Sequence, residues 1–312
     1  MHQKWQADPL AGVLPVFQTP FCEDESIDFG VLEREIGWLL DRGATGVVQA
    51  MVSEVLRLST EERRALAEAA CRFAKPAGRV IISVGAESAK VAEELAGHAE
   101  SVGADAVMAI PPISVALDEG ELQRYFGRIL AACAIPLVVQ DASGYVGRPM
   151  PISLYARLWQ QYGERLYFKP EATPIGPRLT ELLEATGGEA RVFEGTGGLA
   201  LVDSFRRGVM GTMPGADLID GIVALWRSLC RGDEARAEAI SLPLVAIVSL
   251  QQSLDAFLAI EKHLLVKQGI FVNEIVRGPV GYSLDVQTRA EVDRLFDILK
   301  STLAHSGSAA PI

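Results

Sequence analysis

Cysteine is scarce in this chain: Cys22, Cys71, Cys133 and Cys230 stand far apart, with no C-x-x-C pair. That spacing excludes the usual zinc ribbon or disulfide framework and reads as reduced thiols. Histidine is equally sparse, at His2, His98, His263 and His305, so no metal site is expected. No H-E-x-x-H, G-x-S-x-G, phosphate-binding P-loop or G-x-G-x-x-G occurs. Zinc hydrolases, serine hydrolases and dinucleotide enzymes thereby lose their ordinary signatures, and no cofactor is implied. No apolar run approaches the ~20 residues of a membrane span. Positive charge is in deficit, with 29 Lys and Arg against 40 Asp and Glu and a net charge of −11. Nucleic acid and anionic membranes are poor partners for such a surface, and an anionic substrate has to be attracted locally. The first ten residues contain no apolar signal core, so the chain is expected to be uncleaved and cytoplasmic.

What is present is a repeating alternation of short apolar runs and amphipathic stretches. The 312 residues suit one (β/α)8 barrel of ~250 residues plus an addition. Strands are expected at Gly12–Phe21, Gly46–Met51, Arg79–Gly85, Ala106–Pro111, Ile135–Asp141, Leu166–Glu171, Arg191–Glu194 and Gly208–Pro214. Their near-continuous apolar character, as in Val80-Ile81-Ile82-Ser83-Val84, fits parallel strands covered on both faces. Ser59-Thr60-Glu61-Glu62 and Asp118-Glu119-Gly120-Glu121 carry helix-start signals, and Gly43, Gly103, Gly187 and Gly208 stand where helices should end. The fold class expected is α/β, a TIM barrel over 1–221. A C-terminal helical bundle follows over 222–305 and a frayed tail over 306–312.

Active sites of this architecture lie at the C-terminal ends of the strands. The sixth expected strand reads Leu166-Tyr167-Phe168-Lys169-Pro170-Glu171. Burial disfavours a charged lysine and frees its amine as a nucleophile; the structural alternative is a rim lysine paired to a carboxylate. Glu171, two residues on, points to the same side of the strand as Lys169. Ionised, it opposes nucleophilic attack by holding the lysine charged; kept neutral by desolvation, it can act as general acid. A plain ion pair is the competing reading. The Gly195-Thr196-Gly197-Gly198 segment can be read as a phosphate loop before a helix or as a wall of a substrate pocket.

Several segments together resemble the dihydrodipicolinate synthase / N-acetylneuraminate lyase family of class I aldolases. They are Pro15-Val16-Phe17-Gln18-Thr19-Pro20-Phe21, the run from Ser53 to Arg63, Lys169 on its strand, and Lys267-Gln268-Gly269-Ile270 with Arg277-Gly278-Pro279. The resemblance implies a barrel whose Lys169 forms a Schiff base with a 2-keto acid. It also places Gly195 and Thr196 in a substrate-pocket loop and suggests a homo-oligomer, tetramer or dimer. The departures are specific. The family's paired threonines correspond to Met51 and Val52, its relay tyrosine to Gln140, its second tyrosine to Ile113, and its second-substrate arginine to Tyr145.

Methionine, valine and isoleucine cannot pass protons, so the condensation machinery of the synthase is absent. Ser53-Glu54, Val139-Gln140-Asp141 and Lys169-Pro170-Glu171 resemble instead a branch that dehydrates 2-keto-3-deoxy sugar acids. On that resemblance Lys169 is the nucleophile and Glu171 or Glu54 the acid or base. Gln140 and Asp141 lie along the sugar chain, and the Ser53 hydroxyl with N–H groups near Val52 holds the carboxylate. The expected function is a cofactor-independent Schiff-base lyase that dehydrates or cleaves such an acid. A true dihydrodipicolinate synthase and a non-catalytic keto-acid-binding barrel are the alternatives.

Overall fold

Strands covered on both faces alternate between two apolar environments, and those of this protein do so residue by residue. The computed structural model describes residues 2–5 and 7–305, so the expected tail, 306–312, lies outside them. In β2 (Gly46–Gln49) Val47 packs outward among helices while Val48 packs inward. In β3 (Arg79–Ser83) Val80 and Ile82 face out and Ile81 in; in β4 (Ala106–Ala109) Val107 faces out and Met108 in. β5 (Leu137–Asp141) turns Val138 inward and β6 (Leu166–Pro170) turns Tyr167 inward. The inward residues meet Leu14, Val16, Phe193 and Met213 in a cluster that contains no α-helical residue. That cluster is the filled interior of a barrel.

β2 to β6 pair in sequence, and β1 (Gly12–Val13), β8 (Gly211–Thr212) and β7 (Phe193–Glu194) form a second parallel set. Bridges between Val16 and Val48 and between Phe168 and Val192 join the two sets into a ring. The regular part of β1 is far shorter than the expected Gly12–Phe21 because Pro15 and Pro20 have no N–H for a ladder. Leu14 and Val16 still donate to Thr212 and Pro214 carbonyls, at 2.9 and 2.7 Å.

Helices α1 (Phe29–Asp41), α2 (Thr60–Ala74), α3 (Ala89–Ser101), α4 (Glu119–Ala132) and α5 (Ile152–Tyr162) follow the first five strands. α6 (Ile175–Ala185), α7 (Leu201–Arg207) and α8 (Ile219–Arg231) follow the last three. The Ser59 and Glu62 side chains form the expected reciprocal capping box of α2, and Asp118 accepts from Glu121 N at the start of α4. Gly208, at φ 104, ends α7 in a left-handed conformation that costs glycine little. The expected domain boundary at 221/222 cuts through α8, which packs on β1 as the eighth helix of the barrel. The extension therefore starts later, with α9 (Glu234–Val248), α10 (Leu254–Lys267) and α11 (Val286–Ala304). No helix of the described residues is long and apolar enough to cross a membrane.

α10 brings charge into the seam between extension and barrel mouth. Glu261 accepts from Ala216 N and Gln18 Nε2. Gln18 N in turn donates to Glu35 of α1 at 2.8 Å. Lys262 donates to Glu54 (2.5 Å), to the Thr19 carbonyl (2.9 Å) and to the Ile275 carbonyl (2.6 Å). Burial pushes the Glu35 carboxyl up to about 8 and Asp217 up to about 7, and holds Glu261 well above the usual carboxylate range. Asp217 and Glu35 add their repulsion at Glu261, while Lys262 pulls Glu35 the other way.

These groups bind protons more tightly folded than unfolded. Above the ordinary carboxylate value of 4.5 the unfolded chain has released protons that the folded chain keeps. Stability from this source is thus full at low pH and is lost as the pH rises toward 8. With ~2–4 °C of melting temperature per kcal/mol, thermal melts should show a drop of roughly 5 °C or more between mildly acidic and mildly alkaline buffer. Glu35→Gln should reduce that drop, with Asp217 and Glu261 supplying the remainder, and a flat wild-type profile would contradict the assignment.

Candidate active site

The inward alternation of β6 runs on from Tyr167 to Lys169 and to Glu171 beyond the strand end, so both charged side chains enter the barrel mouth. Only 3% of Lys169 and 5% of Glu171 is exposed. Lys169 Nζ lies 3.3 Å from Glu171 Oε1. Gln140 is the register partner of Lys169 on β5, and its Nε2 donates to Glu171 Oε2 at 2.7 Å. Burial raises the Glu171 carboxyl above its ordinary value; the Lys169 charge and the Gln140 hydrogen bond pull it partly back.

The cavity around this triad is lined by Val52, Tyr145, Gly195, Met213 and Phe257, among others. About 20 Å³ of free space remains inside it, room for a single water. Gly195 makes the close packing feasible. A Cβ there would collide with Lys169 Cε and stand 2.6 Å from Glu171 Oε1. Any larger residue at 195 displaces the two groups that carry the charge.

Of the residues expected at the site, Lys169, Glu171, Gln140, Val52 and Gly195 are brought together. Four others have different occupations. Glu54 sits at φ 57, in a left-handed turn between two short 3₁₀ segments. Its Oε1 takes Lys262, and its Oε2 accepts from Arg277 N at 3.0 Å. Both oxygens are engaged in the seam, so Glu54 is a structural anchor in this geometry rather than an acid or base beside Lys169. Ser53 donates its hydroxyl to the Phe17 carbonyl at 2.6 Å and accepts from Ala50 N, which leaves it committed to the turn. Asp141 spans the following loop, accepting from Ser143 N (3.0 Å), Met150 N (2.8 Å) and the Tyr155 hydroxyl (3.3 Å). Thr196 donates both its N–H and its hydroxyl to Glu194, so neither donor faces a phosphate.

The backbone N–H groups near Val52 were expected to hold a carboxylate, whereas the aromatic pair at the cavity was not anticipated as functional. The N–H groups of Met51 and Val52, which line the cavity, donate to no described residue. Tyr145 and Phe257 also line it, with their rings edge to face at 6.4 Å. Tyr145 had a signal, since it aligns with the family's second-substrate arginine. Phe257 had none, because only the docking of α10 carries it to the barrel mouth.

The arrangement is a buried amine and a buried carboxyl in a neutral, largely apolar cleft, suited to nucleophilic attack and local proton transfer. Comparison with known proteins agrees in kind. The chain is 28% identical over 307 residues to an L-2-keto-3-deoxyarabonate dehydratase of Azospirillum brasilense, covering 94% of this chain and 97% of that one. It is 27% identical over 274 residues to an uncharacterised DapA-like lyase of Pyrococcus abyssi, covering 86% and 92%. The crystal structure of a dihydrodipicolinate synthase from Rhodopseudomonas palustris superposes with a TM-score of 0.85 at 26% identity, over 93% of this chain and 98% of that one. The dihydrodipicolinate synthetase family pattern matches residues 9–299. With that match over nearly its whole length, and a barrel of the same fold around Lys169, the chain belongs to the dihydrodipicolinate synthetase family.

Proposed function

We propose that the protein is a Schiff-base lyase that dehydrates a 2-keto-3-deoxy sugar acid. The observation that carries this reading is Glu171, 3.3 Å from Lys169 Nζ and held on its other oxygen by Gln140. Lys169 attacks the C2 carbonyl, water leaves, and the imine acidifies the C3 protons. Glu171 as carboxylate takes one of them to give the enamine. The same group, now a carboxylic acid, protonates the C4 hydroxyl, which departs as water while the C3–C4 double bond forms. A carboxyl whose proton affinity is raised by burial and lowered by a neighbouring cation is balanced for both halves of that exchange. The unused N–H groups of Met51 and Val52 hold the C1 carboxylate.

The second reading, synthesis of dihydrodipicolinate from pyruvate and aspartate semialdehyde, is favoured by the likeness to the Rhodopseudomonas synthase. It is opposed by the side chains of the cavity, where Met51 and Val52 offer no hydroxyl. Positioned proton shuttles contribute ~10²–10⁴-fold. Condensation of pyruvate with aspartate semialdehyde should therefore run at least ~10²-fold below an ordinary synthase, while keto-deoxy sugar acids are turned over. Parallel assays on the two substrate classes test the reading. Condensation at an ordinary synthase rate, with no dehydration of any sugar acid, reverses the choice.

A further inference from the structure

A gathering of positive charge on this acidic chain lies far from the catalytic mouth. Arg42, Arg227, Arg231, Arg236 and Lys300 line a groove of about 640 Å³ between α8, α9 and α11. Arg42 caps the C-terminus of α1, just before β2 begins, so the groove opens at the N-terminal ends of the strands. Lys169 stands at the opposite end of the barrel.

The groove is lined by two carboxylates, and both are spent. Asp220 is shared by Arg42 and Lys300, at 3.6 and 3.1 Å. Asp233 caps α9, accepting from Arg236 N at 3.1 Å. The Arg236 guanidinium ties the floor together by donating to the Thr302 and Leu303 carbonyls, at 2.7 and 3.2 Å. Arg227 and Arg231 have no hydrogen bond or ion pair with a described residue. They stand one turn apart on α8, where like charges repel. The Arg227 guanidinium also reaches over Gly43, the residue next to Arg42, where a Cβ would collide with it. Helix dipoles explain part of this, since Arg42 and Arg231 lie at helix C-termini that favour cations. They do not explain Arg227, a turn earlier, or the convergence of cations from four helices on one groove.

We propose that this groove binds a small molecule bearing a phosphate group, which takes paired hydrogen bonds from Arg227 and Arg231 and further charge compensation from Arg42 and Lys300. Planar guanidinium forks match phosphate oxygens two at a time, and four of the five cations are arginine. A groove of this volume accommodates a phosphate ester as well as the free ion. Bound there, the anion bridges α8 of the barrel to α11 of the extension and stabilises the fold without touching the catalytic cavity. The site is independent of the reading of Lys169.

The test measures melting temperature and calorimetric binding at constant ionic strength, with pyruvate present to occupy the catalytic cavity. Inorganic phosphate and glycerol 3-phosphate are the probes. At a hundredfold excess over its dissociation constant, a probe should raise the melting temperature saturably, by roughly 5 °C or more. Replacing both arginines, Arg227→Gln with Arg231→Gln, should weaken binding ~10-fold or more. Lys300→Gln, on α11, should weaken it as well. All three side chains are exposed, so these variants should melt near wild type without a probe, and borohydride trapping of pyruvate at Lys169 should be unchanged. Tighter binding of the ester assigns the groove to a phosphorylated metabolite, and tighter binding of phosphate assigns it to the free ion. No saturable rise with either probe, or the same rise in the double variant, would overturn the proposal.

Discussion

Borohydride reduction in the presence of a 2-keto acid should add the mass of the reduced acid to the peptide that carries Lys169. Lys169→Ala should abolish both the label and turnover, leaving only background rates. Lys169 is the lysine of the cavity, and its amine is buried beside one carboxyl. The other buried lysine, Lys262, is saturated by Glu54 and two carbonyls and covered by the Phe21 ring. The variant should still fold. Losing a buried cation leaves burial and the Glu194 charge opposed by the Gln140 hydrogen bond alone, so the Glu171 carboxyl takes up a proton rather than staying as a bare charge. Circular dichroism and an unchanged elution volume would confirm an intact scaffold. Labelling at another lysine, or no label with any keto acid, removes the lyase mechanism.

Glu171→Gln separates binding from chemistry. The amide keeps the shape and still accepts from Gln140, so the cavity stays closed and the imine still forms. Turnover should fall ~10²–10⁴-fold, the usual contribution of a positioned acid–base group. Single-turnover kinetics beside trapping on the same protein decide the matter. Near-normal turnover would reduce Glu171 to an ion-pair partner. Matched losses in trapping, turnover and stability would make its role structural.

The placement of Lys169 and Glu171 was legible because it depends on one rule, the two-residue alternation of a strand. Once Leu166 and Phe168 face the helices, the charged pair has nowhere to go but inward. The barrel was legible for the same reason. The length of the first strand was overestimated because apolar character persists past the point where Pro15 and Pro20 end regular pairing. The 221/222 division falls inside α8 because that helix is as apolar and helical as the extension, and it packs on both β1 and α9. Glu54 misled for a related reason. Its place at the end of the second strand suggests the barrel mouth, yet the partner that claims its carboxylate lies 208 residues away in α10. Ser53 and Asp141 likewise stand at strand ends, where a polar side chain serves the loop's own N–H and carbonyl groups as readily as a substrate.

The Glu54–Lys262 pair bears on modularity. The turn that exposes the Met51 and Val52 N–H groups is pinned from behind by a lysine on α10 and by the backbone N–H of Arg277. A chain cut after α8 would keep every strand and every barrel helix, yet remove both the lysine and the backbone N–H that hold the Glu54 carboxylate. The turn after β2 thus depends on the appended helices for its shape. The loop carrying Tyr145 makes its backbone ties to Ala142 and Asp141, at the end of β5, and meets α10 through the Tyr145–Phe257 ring contact. Exchange of sequence between relatives should therefore be better tolerated in that loop, provided the residue facing Phe257 is kept, than at the Glu54–Lys262 contact.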